Sequence, residues 1–446
     1  MTITRILVAT GAIISLALLV QRPQRGLLLL AALAPLHGLL VIVPGGRSLS
    51  AWKEVLLLLT LTATFVAPRR SLRTGIPLSL PWWPAVVGLV LFGSASALVT
   101  AGATGLVAIK ITFFYLLVLL VLWRAPFSVR ERDHVVTIVM ALGLVTSVVG
   151  LWQQVVGAEF LVGLGYDYNT EVRTAGGFLR SFSTFNQPFP FGLFVMMSLL
   201  VGGAVALAEP RRRRNAMFLL ATPVLVAGMA VSIVRASYLG LAVGVLWMAL
   251  HRYRHLLTAL AVAALSSPVA LLLLPGKVLM TAFSSTSFGQ RSSGWSRITS
   301  DVLANPLGRG LGSSGSAAEK IASVTGRQAA LTYQPDNYYV KLALELGPIG
   351  LWLFVLVLIS GAVSTLRASR VLTGQDAALA LGVSASVVAA GAASLVATYF
   401  EIFPLDVYYW LLLGVVGCAV TEYASGTTRS LFDPVAAACR PMPVKY

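Results

Sequence analysis

Apolar runs return along this chain from residue 6 to residue 421, most of them long enough to cross a bilayer as helix. A spanning helix needs roughly 17–25 predominantly apolar residues. Thirteen segments meet or approach that length: 6–20, 26–43, 54–67, 82–100, 106–123, 135–156, 189–208, 216–233, 236–250, 255–274, 338–366, 377–397 and 404–421. The first, third and ninth are short, so twelve is the alternative count. The runs are continuous rather than alternating, which excludes a transmembrane β-barrel. No polar stretch between them could form a separate soluble domain. The chain therefore reads as a single all-α, polytopic membrane domain over 1–446. Composition agrees: 11% of residues are charged and mean hydropathy is +0.85, whereas soluble domains carry roughly 25% charged residues. The first run has no small-residue cleavage site before Gln21-Arg22 and reads as a retained span.

The formal charge of +17 would suggest nucleic acid on a soluble chain. On a membrane chain the first question is how the basic residues divide between the two sides. Arg69-Arg70 with Arg73, Arg124 with Arg130 and Arg132, Arg211 to Arg214, Arg252 with Arg254, and Arg367 with Arg370 all fall on one side, which the positive-inside rule makes cytoplasmic. That orientation puts the N-terminus outside and the C-terminus inside, and leaves 14 of the 33 basic residues outside. Six of those lie in one large loop, 275–337: Lys277, Arg291, Arg297, Arg309, Lys320 and Arg327, against only Asp301, Glu319 and Asp336. A second external loop, 157–188, holds Arg173 and Arg180, and a very short one holds Arg235. The lipid bilayer is thus the expected partner, and nothing calls for nucleic acid.

Those external arginines are where chemistry is most legible. Arg235 interrupts an apolar stretch from Ala216 to Leu250, too long for one span, and falls at the turn between two. A charge inside the membrane costs about 2.5–3.5 kcal/mol on insertion scales, so such a residue is usually kept for a partner or ligand. The bland alternative is an arginine snorkelling to the interface. Arg180 opens a cluster of aromatics, hydroxyls and amide, Arg180-Ser-Phe-Ser-Thr-Phe-Asn186. Such a mix suits a phosphate with an apolar tail, because guanidinium grips phosphate oxygens in a fork. It also suits an ordinary interfacial aromatic belt.

In the large loop, Trp295, Ile298, Val302 and Leu303 recur at helical spacing and predict a short surface helix ended by Asn305-Pro306. Leu307-Gly-Arg-Gly-Leu-Gly312 reads as a tight turn, with no strand before it to make a nucleotide fingerprint. Asp336 and Asn337 stand where the next span begins. They read either as its N-cap or, for Asp336, as a general base at the membrane surface. Glu345 would lie about two turns inside that helix, and a salt bridge to Lys341 is its simplest account. Glu401 and Asp406, in the last external loop, could pair with external arginines. His37, His134, His251 and His255 form no set that would bind metal or activate a serine, and Cys418 and Cys439 suggest no disulfide framework. No cofactor or metal is expected.

Four ordered segments of the chain resemble the O-antigen ligase/polymerase superfamily of bacterial membrane glycosyltransferases. They are Arg180-Ser-Phe-Ser-Thr-Phe-Asn-Gln-Pro188, Ser232-Ile-Val-Arg-Ala-Ser-Tyr238, Arg291-Ser-Ser-Gly-Trp295 with Asn305-Pro-Leu-Gly-Arg-Gly-Leu-Gly312, and Asp336-Asn337-Tyr338 through Glu345-Leu-Gly-Pro-Ile-Gly350. Together they span 178–360. The resemblance implies a GT-C-like fold in the bacterial cytoplasmic membrane. It also implies metal-independent, inverting transfer of a glycan from a polyprenyl-diphosphate donor to a glycan or lipid-linked acceptor on the extracytoplasmic face. It carries the donor-binding arginines over to Arg180, Arg235 and Arg291; Asn186, Asn337, Tyr338, Glu345 and Glu401 are further candidates for the site. Where that family has a loop histidine implicated in catalysis, this chain has Asp336, which could accept a proton in its place. A ligase and a polymerase of this superfamily share these motifs. A lipid or glycan transporter is the reading from another class, although midplane polar sites and an inverted repeat are not evident here. A non-catalytic envelope scaffold is the third.

Overall fold

The computed structural model describes residues 19–66, 78–273, 300, 302–325 and 336–432. The first expected span, all but its last two positions, lies outside the described residues. So do Arg291 and most of the surface helix expected near Trp295.

The helices, in chain order, are α1 (Gln24–Leu33), continued by a 3₁₀ segment Ala34–Val41, α2 (Trp52–Val66), α3 (Trp83–Ala101), α4 (Gly105–Phe113), α5 (Leu117–Arg124) and α6 (Val129–Gly163). A hairpin follows, β1 (Arg173–Ala175) and β2 (Phe178–Arg180). Then come α7 (Pro188–Ala208), α8 (Arg213–Val231), α9 (Arg235–His251), α10 (Leu256–Leu273), α11 (Gly315–Thr325), α12 (Tyr338–Val371), α13 (Gly374–Ala393) and α14 (Leu405–Phe432). Among the described residues, eight helical stretches are long and apolar enough to cross a membrane. The expected thirteen exceed that number for visible reasons. α2 and α9 hold only 15 and 17 residues. The stretch Trp83–Arg124 is continuous helix by length, yet the chain folds back at Gly102 so that Gly105 packs on Ala97. The chain is thus a helical, multi-pass membrane protein whose described residues also include a small hairpin that the helical reading does not anticipate.

α7 and α13 form the centre of the bundle and are largely buried, while α8 shows most of its surface. α13 packs along α12, α9 and α7. These approaches are close because small residues face one another, as is usual where no water drives helices together. A Cβ on Gly143 would fall 2.0 Å from the Ser198 hydroxyl, and one on Gly382 would fall 2.9 Å from Ala204.

The two ends of the bundle differ in charge pattern. The loops assigned to the cytoplasm meet at one end. There Arg132, almost wholly buried, bonds Asp376 at 2.7 Å and Glu422 at 2.8 Å. Asp133 beside it receives Arg212 at 2.7 Å and Arg214 at 2.6 Å, with Gln375 donating a further bond at 2.7 Å. At this end carboxylates answer the arginines and tie α6, α8, α13 and α14 together. The other end of α8 opens onto Arg235, one helix length away.

Candidate functional site

Two glycines set the hairpin. Gly176 and Gly177 both have positive φ and make the two-residue turn between β1 and β2. The register then places Arg173 directly across from Arg180. Leu161, Tyr166, Val172, Leu179 and Phe182 form a small apolar core that fastens the hairpin to the end of α6. The Tyr166 and Phe182 rings meet edge to face at 4.9 Å. Burial beside Glu171 pushes the Tyr166 phenol up to about 12.

After β2 the chain dives into the bundle. Backbone entering apolar surroundings must find partners, and α6 supplies them. The Gln153 carbonyl oxygen accepts from the Phe182 and Ser183 N–H groups at 3.1 and 2.7 Å, and its amide donates to the Ser183 carbonyl at 2.9 Å. The hydroxyls of Ser181, Ser183 and Thr184 donate to the carbonyls of Gly150, Thr146 and Pro35. All three are buried. The hydroxyl cluster that reads in the sequence as half of a phosphate site is therefore spent on holding this segment in place. Arg180 and the exposed Asn186 remain available at its two ends.

Arg180 is held where an uncompensated cation is costly. Its guanidinium carbon lies 5.1 Å from the Phe189 ring centre. Its Nε is buried with no hydrogen-bond partner. Burial first, then the neighbouring charges of Arg173 and Arg235, pull its pKa below the ordinary arginine value; the Tyr238 phenol acts in the opposite sense. The hairpin is pinned beside the second arginine by the Ser181 N–H, which donates to the Val231 carbonyl at 3.0 Å. The chain then turns through Ser232–Val234, with Ile233 at φ 52°, and Arg235 begins α9 at an exposed position. Tyr238, one turn on, donates its hydroxyl to the Ala230 carbonyl at 2.7 Å and braces that turn. Three guanidinium groups from the hairpin and the α8–α9 turn thus stand at one end of the bundle.

The start of α12 lies at the same end. A Cβ at Gly244 would approach the Ala385 carbonyl, and one at Gly240 the Ala389 carbonyl. Stepping one more turn brings the start of α9 to the C-terminus of α13. There the Ser394 carbonyl accepts the Tyr338 N–H at 2.9 Å, and the Gly391 carbonyl accepts the Tyr339 hydroxyl at 2.8 Å. Asn337 is the N-cap: its side-chain oxygen accepts from the N–H groups of Tyr339 and Val340 at 2.9 and 3.2 Å. Asp336 is not part of that cap and stays exposed. Tyr338, by contrast, is a core residue, packed on Phe354 and Phe400 with ring centres 5.0 and 5.5 Å away.

Two motifs that are weak apart prove to be halves of one joint. α12 breaks at Gly347, φ 62°, and the following Pro348 has no N–H to give. The carbonyls of Leu344 and Glu345 lose their helical partners and accept instead from Arg309 and Gly310 of the loop, both at 2.9 Å. Gly308 must be glycine here, since a Cβ would sit 2.3 Å from the Glu345 carbonyl oxygen. The Glu345 carboxylate adds a second hold, taking the Ser314 N–H and hydroxyl at 3.0 and 2.8 Å. It also lies 3.4 Å from Lys341, the i−4 pair its position implied, and Lys341 in turn contacts Glu401.

Tyr238 and Ser314 are the members of this end that the sequence does not single out, while Arg173 is legible there only as an external cation and Lys341 only as the partner of Glu345. The signal for Arg173 was present: two glycines between short alternating runs, Arg173-Thr-Ala-Gly-Gly-Phe-Leu-Arg180, mark a hairpin that pairs its ends. Compared with known proteins, the chain matches no family model and no curated protein.

Proposed function

We propose that the chain is a membrane glycosyltransferase that moves a glycan from a polyprenyl-diphosphate donor to a hydroxyl of a glycan or lipid-linked acceptor at the extracytoplasmic face. The observation that carries this reading is Arg180. A half-buried guanidinium whose Nε is buried and unpartnered, with two more arginines beside it, is a poor structural element. It is a good receptor for a multivalent anion, which would satisfy the free donor and quench the repulsion. The exposed apolar surface of the neighbouring helices offers the anion's lipid chain a place in the bilayer. The four ordered motifs of the ligase/polymerase superfamily point to the same donor.

In this reading Arg173, Arg180 and Arg235 hold the diphosphate. Asp336 takes the proton of the acceptor hydroxyl, whose oxygen attacks the anomeric carbon from the side opposite the diphosphate. The new glycosidic bond forms as the sugar–phosphate bond breaks, with inversion, and the pair of electrons leaves on the polyprenyl diphosphate. The arginines gain most as that charge develops, which is how preorganised cations lower a barrier.

The test is reconstitution of the purified protein in liposomes with a polyprenyl-diphosphate-linked glycan and candidate acceptors, with chelator present. Elongated acceptor together with released polyprenyl diphosphate is the expected result, lost in Asp336→Asn. Movement of the intact donor across the bilayer, with no bond broken, would replace this reading with the transporter.

A further inference from the structure

Among the described residues at the arginine end, Lys341, Glu345 and Glu401 form a sequestered group of charges in direct contact. Lys341 and Glu345 are 1% and 0% exposed, and Glu401 presents its carboxylate into the same buried spot. Three separate parts of the chain meet there. α12 brings Lys341 and Glu345, and the turn before α14 brings Glu401. The large loop brings Ser314, bonded to the Glu345 carboxylate, and Gly315, where a Cβ would lie 2.9 Å from the Lys341 Cε and 3.6 Å from a Glu401 oxygen. An i,i+4 pair on a helix surface would be ordinary. Burial removes that account, because taking ions out of water is costly and apolar residues of equal volume usually stabilise as well or better. What charged groups add is direction: each fixes the angle and distance of its neighbour.

Resting on the transfer reading above, we propose that Lys341 is a positioning residue. Its shared ammonium fastens the large loop and the last external turn to the first turn of α12, and so sets where Asp336 stands relative to the arginines. The connection is short. The Lys341 N–H donates to the Asn337 carbonyl at 3.0 Å, and Asn337 is both the cap of α12 and the neighbour of Asp336. The loop side is equally direct, because Glu345 holds Gly310 through its carbonyl and Ser314 through its carboxylate. Lys341 therefore stands one turn from the reacting end and one contact from the loop, without touching substrate.

The experiment compares full-length wild type, Lys341→Arg, Lys341→Met and Glu401→Gln in detergent micelles and in liposomes. Amide hydrogen exchange at Gly310, Ser314, Tyr339 and Val340 reads the fastening itself, whatever the protein catalyses. Initial rates against donor concentration read its consequence. The expected result is faster exchange at all four amides in Lys341→Met. With it, kcat falls ~10–100-fold, the scale of a misplacement near 1 Å, while the donor KM stays within a factor of two and Lys341→Arg restores most of the rate. Unchanged exchange in a folded Lys341→Met protein overturns the proposal. So does a loss of kcat that tracks the melting temperature and is not relieved by arginine, since that is a packing defect. If Lys341→Met does not fold, Glu401→Gln decides, because it keeps the shape and the Lys341–Glu345 pair. Faster exchange with lower kcat supports the proposal there, and no change in either overturns it. Altered exchange in a protein whose wild type transfers no glycan leaves the fastening intact and removes the transfer reading instead.

Discussion

Replacing Arg180 by alanine should separate function from stability in an unusual direction. In the free protein the residue is a burden. Leaving a buried donor unsatisfied costs about 1–3 kcal/mol, and Arg180 Nε is such a donor. Repulsion from Arg173 and Arg235 adds to it. The compensating contact with Phe189 is worth about 0.5–2 kcal/mol by the usual range for a cation over an aromatic ring. The two sides roughly cancel or favour the variant, so Arg180→Ala should melt at the wild-type temperature or above it. In the complex the balance reverses. A guanidinium fork on a diphosphate makes two charge-assisted hydrogen bonds, each worth about 1.5–3 kcal/mol. Their loss amounts to ~3–6 kcal/mol, or about 10²–10⁴-fold in kcat/KM at 1.36 kcal/mol per decade. Arg180→Lys keeps the charge without the fork and should fall between. A thermal shift without substrate gives a third reading. Inorganic pyrophosphate at ten times its Kd should stabilise the wild type by about 1.4 kcal/mol and Arg180→Ala far less. An alanine variant that melts well below wild type yet transfers at a normal rate would refute the reasoning. Equal protection of both proteins by pyrophosphate would do the same.

Three further outcomes follow from the same geometry. Gln153→Leu leaves the Phe182 and Ser183 backbone without three bonds in apolar surroundings; it should lower stability by about 2–4 kcal/mol and cost transfer as well, seen in a melt and a rate assay on one preparation. Tyr166 keeps its proton in the fold up to a pKa of about 12, against an ordinary value of 10.0. Its contribution is therefore complete below pH 10 and lost as pH rises from 10 to 12. Exchange at the hairpin amides should accelerate through that window, and Tyr166→Phe should remove this part of the pH dependence. Arg132→Ala removes the guanidinium shared by Asp376 and Glu422 at the opposite end; it should lower the melting temperature by several degrees and leave the donor KM unchanged.

The part of this molecule that was readable from residues alone is the part governed by the bilayer. Span positions follow from length and hydropathy, and the basic loops sort to one end because insertion sorts them. Arg132, Asp133, Arg212, Arg214, Asp376 and Glu422 do meet at that end. Less was readable wherever backbone leaves regular helix. Ser181, Ser183 and Thr184 look like ligand-binding hydroxyls until their carbonyl partners on α6 and the Ala34–Val41 segment are known, and those partners lie 31 to 149 positions away. No local pattern encodes such a distance. Tyr338 sits in a motif beside Asn337 and looks functional, but its ring is committed to the core through Phe354 and Phe400. The pairing of Arg173 with Arg180 was hidden for a different reason: a three-residue strand leaves almost no periodicity to detect.

The joint between Gly308–Ser314 and the break in α12 shows what a broken helix can be for. A kink at Gly347-Pro348 frees the Leu344 and Glu345 carbonyls, and in a membrane protein freed carbonyls must be answered by something other than water. The loop answers them with backbone N–H groups, so this part of its docking depends on glycine conformation and on the helix break together, with the Glu345 carboxylate adding its side-chain hold on Ser314. That arrangement leaves the side chains at this end available for charge. Glu345 uses its carboxylate on Ser314 and Lys341, and Arg309 lies on the docked loop. A helix that ran unbroken through residue 347 would have no free carbonyls to offer, and the loop would have to be held by side chains alone. The break in α12 is therefore what permits a polar loop to sit against a helix that elsewhere is apolar, with the cap residue Asn337 and its neighbour Asp336 one turn beyond the charges that secure it.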